Sequence, residues 1–235
     1  MYTMNVQVLL ECKKMKNLEK DYITIALPKG KLFSLSADLL KEAGYTAEGL
    51  SEKSRKLVIA NEEAKIRFII TKTSDVPTYV EHGAADIGII GKDVLEEADK
   101  DVYEVLDLGF GKCHLMMAVH KAERRNDLID YANTRVATKF PHIAEKFFTQ
   151  QGMQMEYIKL NGSIELGPII GLSESIVDIV ETGTTLRENG LEEIVHIMDA
   201  TARMIVNRGS YKMKFKRIHA LIENVRAALK DKERK

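Results

Sequence analysis

Short runs of β-branched and other apolar residues alternate along this chain with segments whose apolar positions recur at helical spacing, and that alternation admits few architectures. Residues 23–27 (ITIAL) read as a strand, and Leu35, Leu39, Leu40 and Ala43 then share one helix face that Gly44 ends. Residues 66–71 form another strand, with 57–60 strand-like before it. Ser74 is expected to cap a helix through Val80, with Asp75 in its first turn and Gly83 closing it. Residues 87–90, 115–119, 136–138 and 176–180 are further strands, and Pro141 opens a helix carrying Ile143, Phe147 and Phe148 up to Gly152. In the tail, Phe215, Ile218, Leu221, Ile222, Val225 and Leu229 fall at helical spacing. The pattern predicts an α/β fold with largely parallel sheets. At 235 residues the chain exceeds one mononucleotide-binding unit, so two lobes are expected, with a boundary near Gly109 and Gly111. Ligands of such lobes are expected in a shared cleft, at the carboxyl ends of the strands.

Composition excludes several partners. Hydrophobic residues make up 45% and charged residues 30%, enough for a core without staples. Lys+Arg and Asp+Glu both total 35, so no global field draws the chain to nucleic acid, and any anion site must be local. No apolar run is long enough for a membrane helix. Cys12 and Cys113 form no CxxC pair, consistent with a reducing cytoplasm, and the six histidines lack metal-ligand spacing, with His114 and His120 merely bracketing one strand. Residues 1–20 read as an N-terminal extension, with Met15 an alternative start. Residues 6–10 ahead of Cys12 lack the basic region and small residue of a lipoprotein signal.

The most informative segment is SIVDIVETGTTLR, residues 175–187. An apolar strand feeds a turn of Glu181, Thr182, Gly183, Thr184 and Thr185 before a helical stretch opens. A phosphate wants convergent N–H donors at such a place. Gly183 permits positive φ or close approach, the threonine hydroxyls add donors without charge, and Asp178 and Glu181 can accept from sugar hydroxyls. An isolated TGTT is equally well a strand–turn–helix connection with Thr as N-cap. The acidic residues upstream tip the balance to a ribose-phosphate site. The GxxxxGK[ST] spacing of a Walker loop is absent.

Other segments are weaker alone. Lys29, Gly30 and Lys31 leave the first strand, a place suited to a polyphosphate, although a lone KGK is ordinarily a solvated turn. Arg55 offers a bidentate anion contact or simply an exposed charge. In DIGIIGKD, Gly88 or Gly91 could take a flat base, or Asp93 could cap a tight strand-to-helix turn. Thr138 and Lys139 in RVATKFP, and Glu165 in NGSIELG, line a cleft or merely connect elements.

Taken in order, ALPKGKL, SRKL, SDVPTYVEHGAADIGIIGKDVL, RVATKFP, NGSIELGP and DIVETGTTLRENGL resemble ATP phosphoribosyltransferase, the first enzyme of histidine biosynthesis, from Tyr22 to the C-terminal helix. The length resembles the family's short form, without the C-terminal histidine-binding domain. The resemblance implies a two-lobed, periplasmic-binding-protein-like (type II) α/β architecture with a cleft between lobes. Residues 21–108 with 196–235 would make lobe I, discontinuous because the C-terminal segment returns to it, and 109–195 would make lobe II, carrying the phosphoribosyl pyrophosphate loop. It implies a cytoplasmic homodimer that also assembles with a histidyl-tRNA-synthetase-like regulatory subunit.

The same resemblance implies that N1 of ATP attacks the anomeric carbon of phosphoribosyl pyrophosphate, releasing pyrophosphate and giving 1-(5-phosphoribosyl)-ATP, with Mg²⁺ carried by the substrate phosphates and no direct protein ligands. Carried over by motif, Glu165, Asp178, Glu181, Thr182, Gly183, Thr184 and Thr185 hold phosphoribosyl pyrophosphate. Lys29, Gly30, Lys31, Arg55, Lys72, Gly91 and Asp93 meet ATP or pyrophosphate, with Arg55 and Lys31 catalytic. Lys31 and Lys72 depart from the arginine common there and lose its planar fork. The alternatives are a small-anion binding module of the same fold and a phosphoribosyltransferase with another acceptor. The KGK turn and Arg55 favour an acceptor bearing phosphates.

Overall fold

The computed structural model describes residues 22–233, so the expected N-terminal extension, with Cys12 and Met15, lies outside the described residues. Along the chain run β1 (Ile23–Pro28), α1 (Lys31–Glu42), β2 (Val58–Asn61), β3 (Ile66–Thr71), α2 (Val76–Glu81), β4 (Ile87–Gly91), α3 (Lys92–Ala98) and β5 (Tyr103–Asp107). There follow β6 (Cys113–His120), β7 (Arg135–Thr138), α4 (Pro141–Gln150), β8 (Glu156–Lys159), α5 (Leu166–Ile169), β9 (Ser175–Val180) and α6 (Thr184–Glu188). The chain ends with β10 (Leu191–Ala200), β11 (Ala202–Val206), α7 (Arg208–Met213) and α8 (Phe215–Glu233). The strands form a six-stranded sheet, β2-β3-β1-β4-β11-β5, and a five-stranded sheet, β10-β6-β9-β7-β8. The first compact unit holds the described residues up to Ile90, Asp101–Leu106 and those from Met204 onward. The second holds Gly91–Lys100 and Asp107–Arg203.

Every residue of β1 and β4 is buried, as strands covered on both faces must be. α2 packs tightly over Gly88 of β4. A Cβ there would lie 2.8 Å from both Val76 Cγ1 and Val80 Cγ2, which leaves no room for a base. The helix face expected from Leu35 is rotated. Leu35 is 36% exposed, and Phe33, Ser36, Leu39 and Leu40 are buried instead. Ser36 can occupy that face because its hydroxyl donates to the Leu32 carbonyl at 2.6 Å. Ser74 caps nothing: its hydroxyl donates to the Asp75 carboxylate, and a 3₁₀ turn over Thr73–Asp75 leads into α2.

Two polar groups pin the returning C-terminal segment. Asn207 donates to the last carbonyls of α2, Val80 and Glu81, while its side-chain oxygen accepts from the Ser210 amide at the start of α7. Lys214 donates to both carboxylate oxygens of buried Asp86, at 2.9 and 2.8 Å, and to the Tyr22 carbonyl at 2.6 Å. Ile218, Leu221, Ile222 and Val225 of α8 are buried, whereas Phe215 is half exposed, edge-on to Tyr211 and stacked on His219.

The expected parallel pattern holds only in part. β1 is parallel to β3 and β4, and β7 to β8 and β9. β2 is antiparallel to β3, and β6 to both β9 and β10. Strands joined by a link as short as 62–65 can only return antiparallel. In the second unit, Leu115, Phe148 and Val177 pack one face of the sheet, and Ala137, Ile176, Leu186 and Leu191 form a second cluster. Leu186 and Leu191 thereby anchor the segment that follows β9.

Candidate active site

The turn after β9 is held from below and open above. Gly183 takes φ 68°, in the left-handed region, and leads into the five-residue helix α6, whose Leu186 is buried. The Thr182 and Thr184 hydroxyls are 3.1 Å apart. Glu165, Asp178, Glu181, Thr182, Gly183, Thr184 and Thr185 all line one concavity of about 370 Å³. Glu165 reaches it because Gly167 lies hard against β7, where a Cβ would sit 2.8 Å from that of Ala137.

Burial pushes the Asp178 carboxyl up to about 6, with the nearby Glu165 charge adding to the rise, while the Ile179 amide, 2.8 Å away, and Lys139 oppose it. Strand register explains Lys139. Thr138 of β7 pairs with Val177 of β9, so the next residues, Lys139 just past the end of β7 and Asp178 within β9, stand side by side. Thr138 itself is fully buried, its hydroxyl donating to the Val177 carbonyl at 2.6 Å and accepting from the Phe140 amide. Burial also raises the Asp93 carboxyl, with the Val94 amide and Lys139 opposing. β4 runs straight into α3 through Gly91, and a Cβ on Gly91 would lie 2.2 Å from Asp93 Oδ1.

The cationic candidates belong to the first unit. Lys29, Gly30 and Lys31 leave the carboxyl end of β1, and Lys72 leaves that of β3. The two strands are paired in parallel, Pro28 opposite Thr71, and the Lys29 amide donates to the Thr71 carbonyl. Gly30 has φ 89°, and its amide donates to Glu52 Oε1 at 2.7 Å, which ties the loop bearing Arg55 to the basic turn. Lys29, Lys31, Arg55 and Lys72 are all exposed. Sequence reading left Lys139 either lining a cleft or merely connecting elements, and gave Arg187 no role of its own. Strand register singles out the first, and only the folded turn singles out the second.

No described helix is long and apolar enough to cross a membrane. The family model for ATP phosphoribosyltransferase matches residues 72–227. The ATP phosphoribosyltransferase of Citrifermentans bemidjiense is 52% identical over 206 residues, covering 87% of this chain and 97% of that protein. That of Halalkalibacterium halodurans is 52% identical, covering 86% and 94%. The solved ATP phosphoribosyl transferase (HisG:HisZ) complex from Thermotoga maritima matches with a TM-score of 0.77 and 32% identity, over 89% of this chain and 99% of that one. An amino acid ABC transporter substrate-binding protein, at 12% identity and a TM-score of 0.57, shares the fold, which is of the periplasmic-binding-protein-like type II class. The chain belongs to the ATP phosphoribosyltransferase family, in its short form, and is a transferase of the first step of histidine biosynthesis.

Proposed function

We propose that the concavity after β9 holds the ribose 5-phosphate half of phosphoribosyl pyrophosphate while the cations of the first unit take ATP and the departing pyrophosphate. The observation that carries this reading is the single concavity lined by Glu165, Asp178, Glu181 and the Thr182–Gly183–Thr184–Thr185 turn, with Asp178 on β9 beside Lys139. The turn offers amides and hydroxyls to a phosphate, and the carboxylates accept from ribose hydroxyls. Lys29, Gly30, Lys31, Arg55 and Lys72 meet the phosphates of ATP and pyrophosphate, and Gly91 and Asp93 face the acceptor nucleotide.

N1 of ATP has a free lone pair at neutral pH, so it needs no general base. It attacks the anomeric carbon as the bond to pyrophosphate breaks. The chain therefore aligns the reacting atoms and stabilises leaving negative charge, for which Arg55 and Lys31 are the donors. Mg²⁺ enters as part of the substrate, on the pyrophosphate oxygens. The protein works in the cytoplasm as a homodimer, joined by a histidyl-tRNA-synthetase-like regulatory subunit. The T. maritima relative was solved as a HisG:HisZ complex, which supports a regulatory partner.

The test is incubation with Mg²⁺, phosphoribosyl pyrophosphate and either ATP or free nucleobases, with products read by mass spectrometry. Phosphoribosyl-ATP and pyrophosphate are expected with ATP alone. A base ribonucleotide would transfer the acceptor site to a different ligand.

A further inference from the structure

Arg187 has no part in the reading above, yet it grips the phosphate turn from the side. Its Nη2 donates to the Thr182 carbonyl at 2.9 Å and to Thr184 Oγ1 at 3.3 Å. A trans peptide holds its carbonyl and the following N–H on opposite edges of one plane. Fixing the Thr182 carbonyl toward the guanidinium therefore turns the Gly183 amide away from it. Thr184 Oγ1, accepting from Arg187, is left to give its own hydrogen to Thr182 Oγ1 or to a ligand. A carboxylate matches the cation across the Gly183 α-carbon: a Cβ there would lie 2.7 Å from Glu193 Oε1 and 2.8 Å from Arg187 Nη1. Glu193 is carried on β10, with its other oxygen 3.9 Å from His114 Nε2.

We propose that Arg187 is a positioning residue that presets the turn for a sugar phosphate, orienting the Thr182–Gly183 peptide and the Thr184 hydroxyl before substrate arrives. The inference rests on the assignment of this turn to the 5-phosphate. The grip needs two directed bonds from one nitrogen in a planar fork, which a lysine point charge does not reproduce.

The experiment compares Arg187→Met and Arg187→Lys with Gly183→Val, using calorimetric titration with ribose 5-phosphate and steady-state kinetics with both substrates. Losing charge-assisted bonds that set a binding turn predicts about a 10- to 100-fold weaker ribose 5-phosphate affinity in Arg187→Met. KM for phosphoribosyl pyrophosphate should rise in parallel, KM for ATP should move less than about two-fold, and Arg187→Lys should fall between. Wild-type affinity in Arg187→Met with loss in Gly183→Val overturns the role of Arg187 and leaves the turn's assignment standing. Unchanged affinity in both removes the phosphate from the turn. Equal losses for ATP and phosphoribosyl pyrophosphate overturn the positioning role in favour of general support of the fold. Should Arg187→Met fail to fold, Arg187→Lys decides, because it keeps the charge and stem: unaltered ribose 5-phosphate affinity there overturns the fork.

Discussion

Gly183 is the residue at which sequence and structure meet most directly. Its φ of 68° costs a branched side chain on the order of 1–2 kcal/mol, and any Cβ would press on Glu193 and Arg187. Gly183→Val is expected to weaken phosphoribosyl pyrophosphate binding by at least about 10-fold, the result of losing one or two well-aimed bonds. Unaltered calorimetric affinity would count against the turn as its seat. Arg55→Ala is expected to lower turnover by about 100- to 1,000-fold, the usual loss of one charge-stabilising donor, with a much smaller change in ATP affinity. Single-turnover chemistry at the wild-type rate would remove Arg55 from that part. Asp178 carries a pH signature. The folded carboxyl keeps its proton to about pH 6, whereas the unfolded one releases it near 4. Between those values the folded protein binds more protons, so stability falls as pH rises through the window, by roughly 2–3 kcal/mol in total. On the proposed role the ionised carboxylate is the stronger acceptor for ribose hydroxyls, so KM for phosphoribosyl pyrophosphate should fall as pH rises through 6. Asp178→Asn should melt at a higher temperature at pH 7.5 than the unsubstituted chain, bind that substrate more weakly, and lose the pH step. A melting temperature that does not rise would show that the anion costs the fold nothing. A role for Asp178 was suggested by its place before a Thr-rich turn. Its raised carboxyl was not, because burial belongs to the packed sheet and not to any local string of residues.

At the scale of elements, legibility followed hydrophobic pattern. β1, β3, β4 and β9 are apolar runs and were evident, and α4 was marked by Pro141 and Gly152. β10 escaped notice. Its ten residues include Glu192, Glu193 and Asp199, and most are only half buried, so neither a continuous apolar run nor a clean alternation marks it. β11 follows after a single residue, Thr201, leaving no turn signal between them. α1 was found with its face misread, because Ser36 looks polar in sequence and is satisfied internally by the Leu32 carbonyl. The joining of distant elements was invisible for a different reason: the Lys214–Asp86 pair links residues 128 apart. That pair is the most exacting polar contact of the first unit, since Asp86 is only 4% exposed. Lys214→Met leaves the Asp86 carboxylate buried without its cation and should cost about 3–5 kcal/mol in urea unfolding. Lys214→Met with Asp86→Asn should recover part of the loss. A single variant within about 0.5 kcal/mol of wild type would show that water replaces the ammonium.

At the scale of the whole molecule, the chain passes repeatedly between its two units, after Ile90, Lys100, Leu106 and Arg203. Sequence pattern put a boundary near Gly109 and Gly111, and the family resemblance returned the chain to the first lobe at 196; a compact unit is defined by which side chains pack together, and α3 packs on α4. The same scale governs charge. With 35 acidic and 35 basic residues the protein has no long-range field, so it must handle highly charged ligands through local groups. Phosphoribosyl pyrophosphate and ATP both arrive heavily anionic. The proposed contacts are amides, hydroxyls and a few cations, and the carboxylates beside them would repel bare phosphate oxygens. On the proposed reading, a divalent cation carried by the pyrophosphate would remove that conflict and supply charge to the leaving group. Among the described residues no group of three or more His, Cys, Asp or Glu side chains is placed to hold a metal. If Mg²⁺ is carried by the substrate, as proposed, chelating it should abolish turnover, whereas titrating Mg²⁺ into substrate-free protein should give no saturable heat up to millimolar concentration. Adding phosphoribosyl pyrophosphate should restore saturation at an affinity set by the substrate's own phosphates. Saturable binding to the substrate-free chain, abolished by Asp178→Asn, would instead place the metal on the protein and make Asp178 its ligand in place of the ribose.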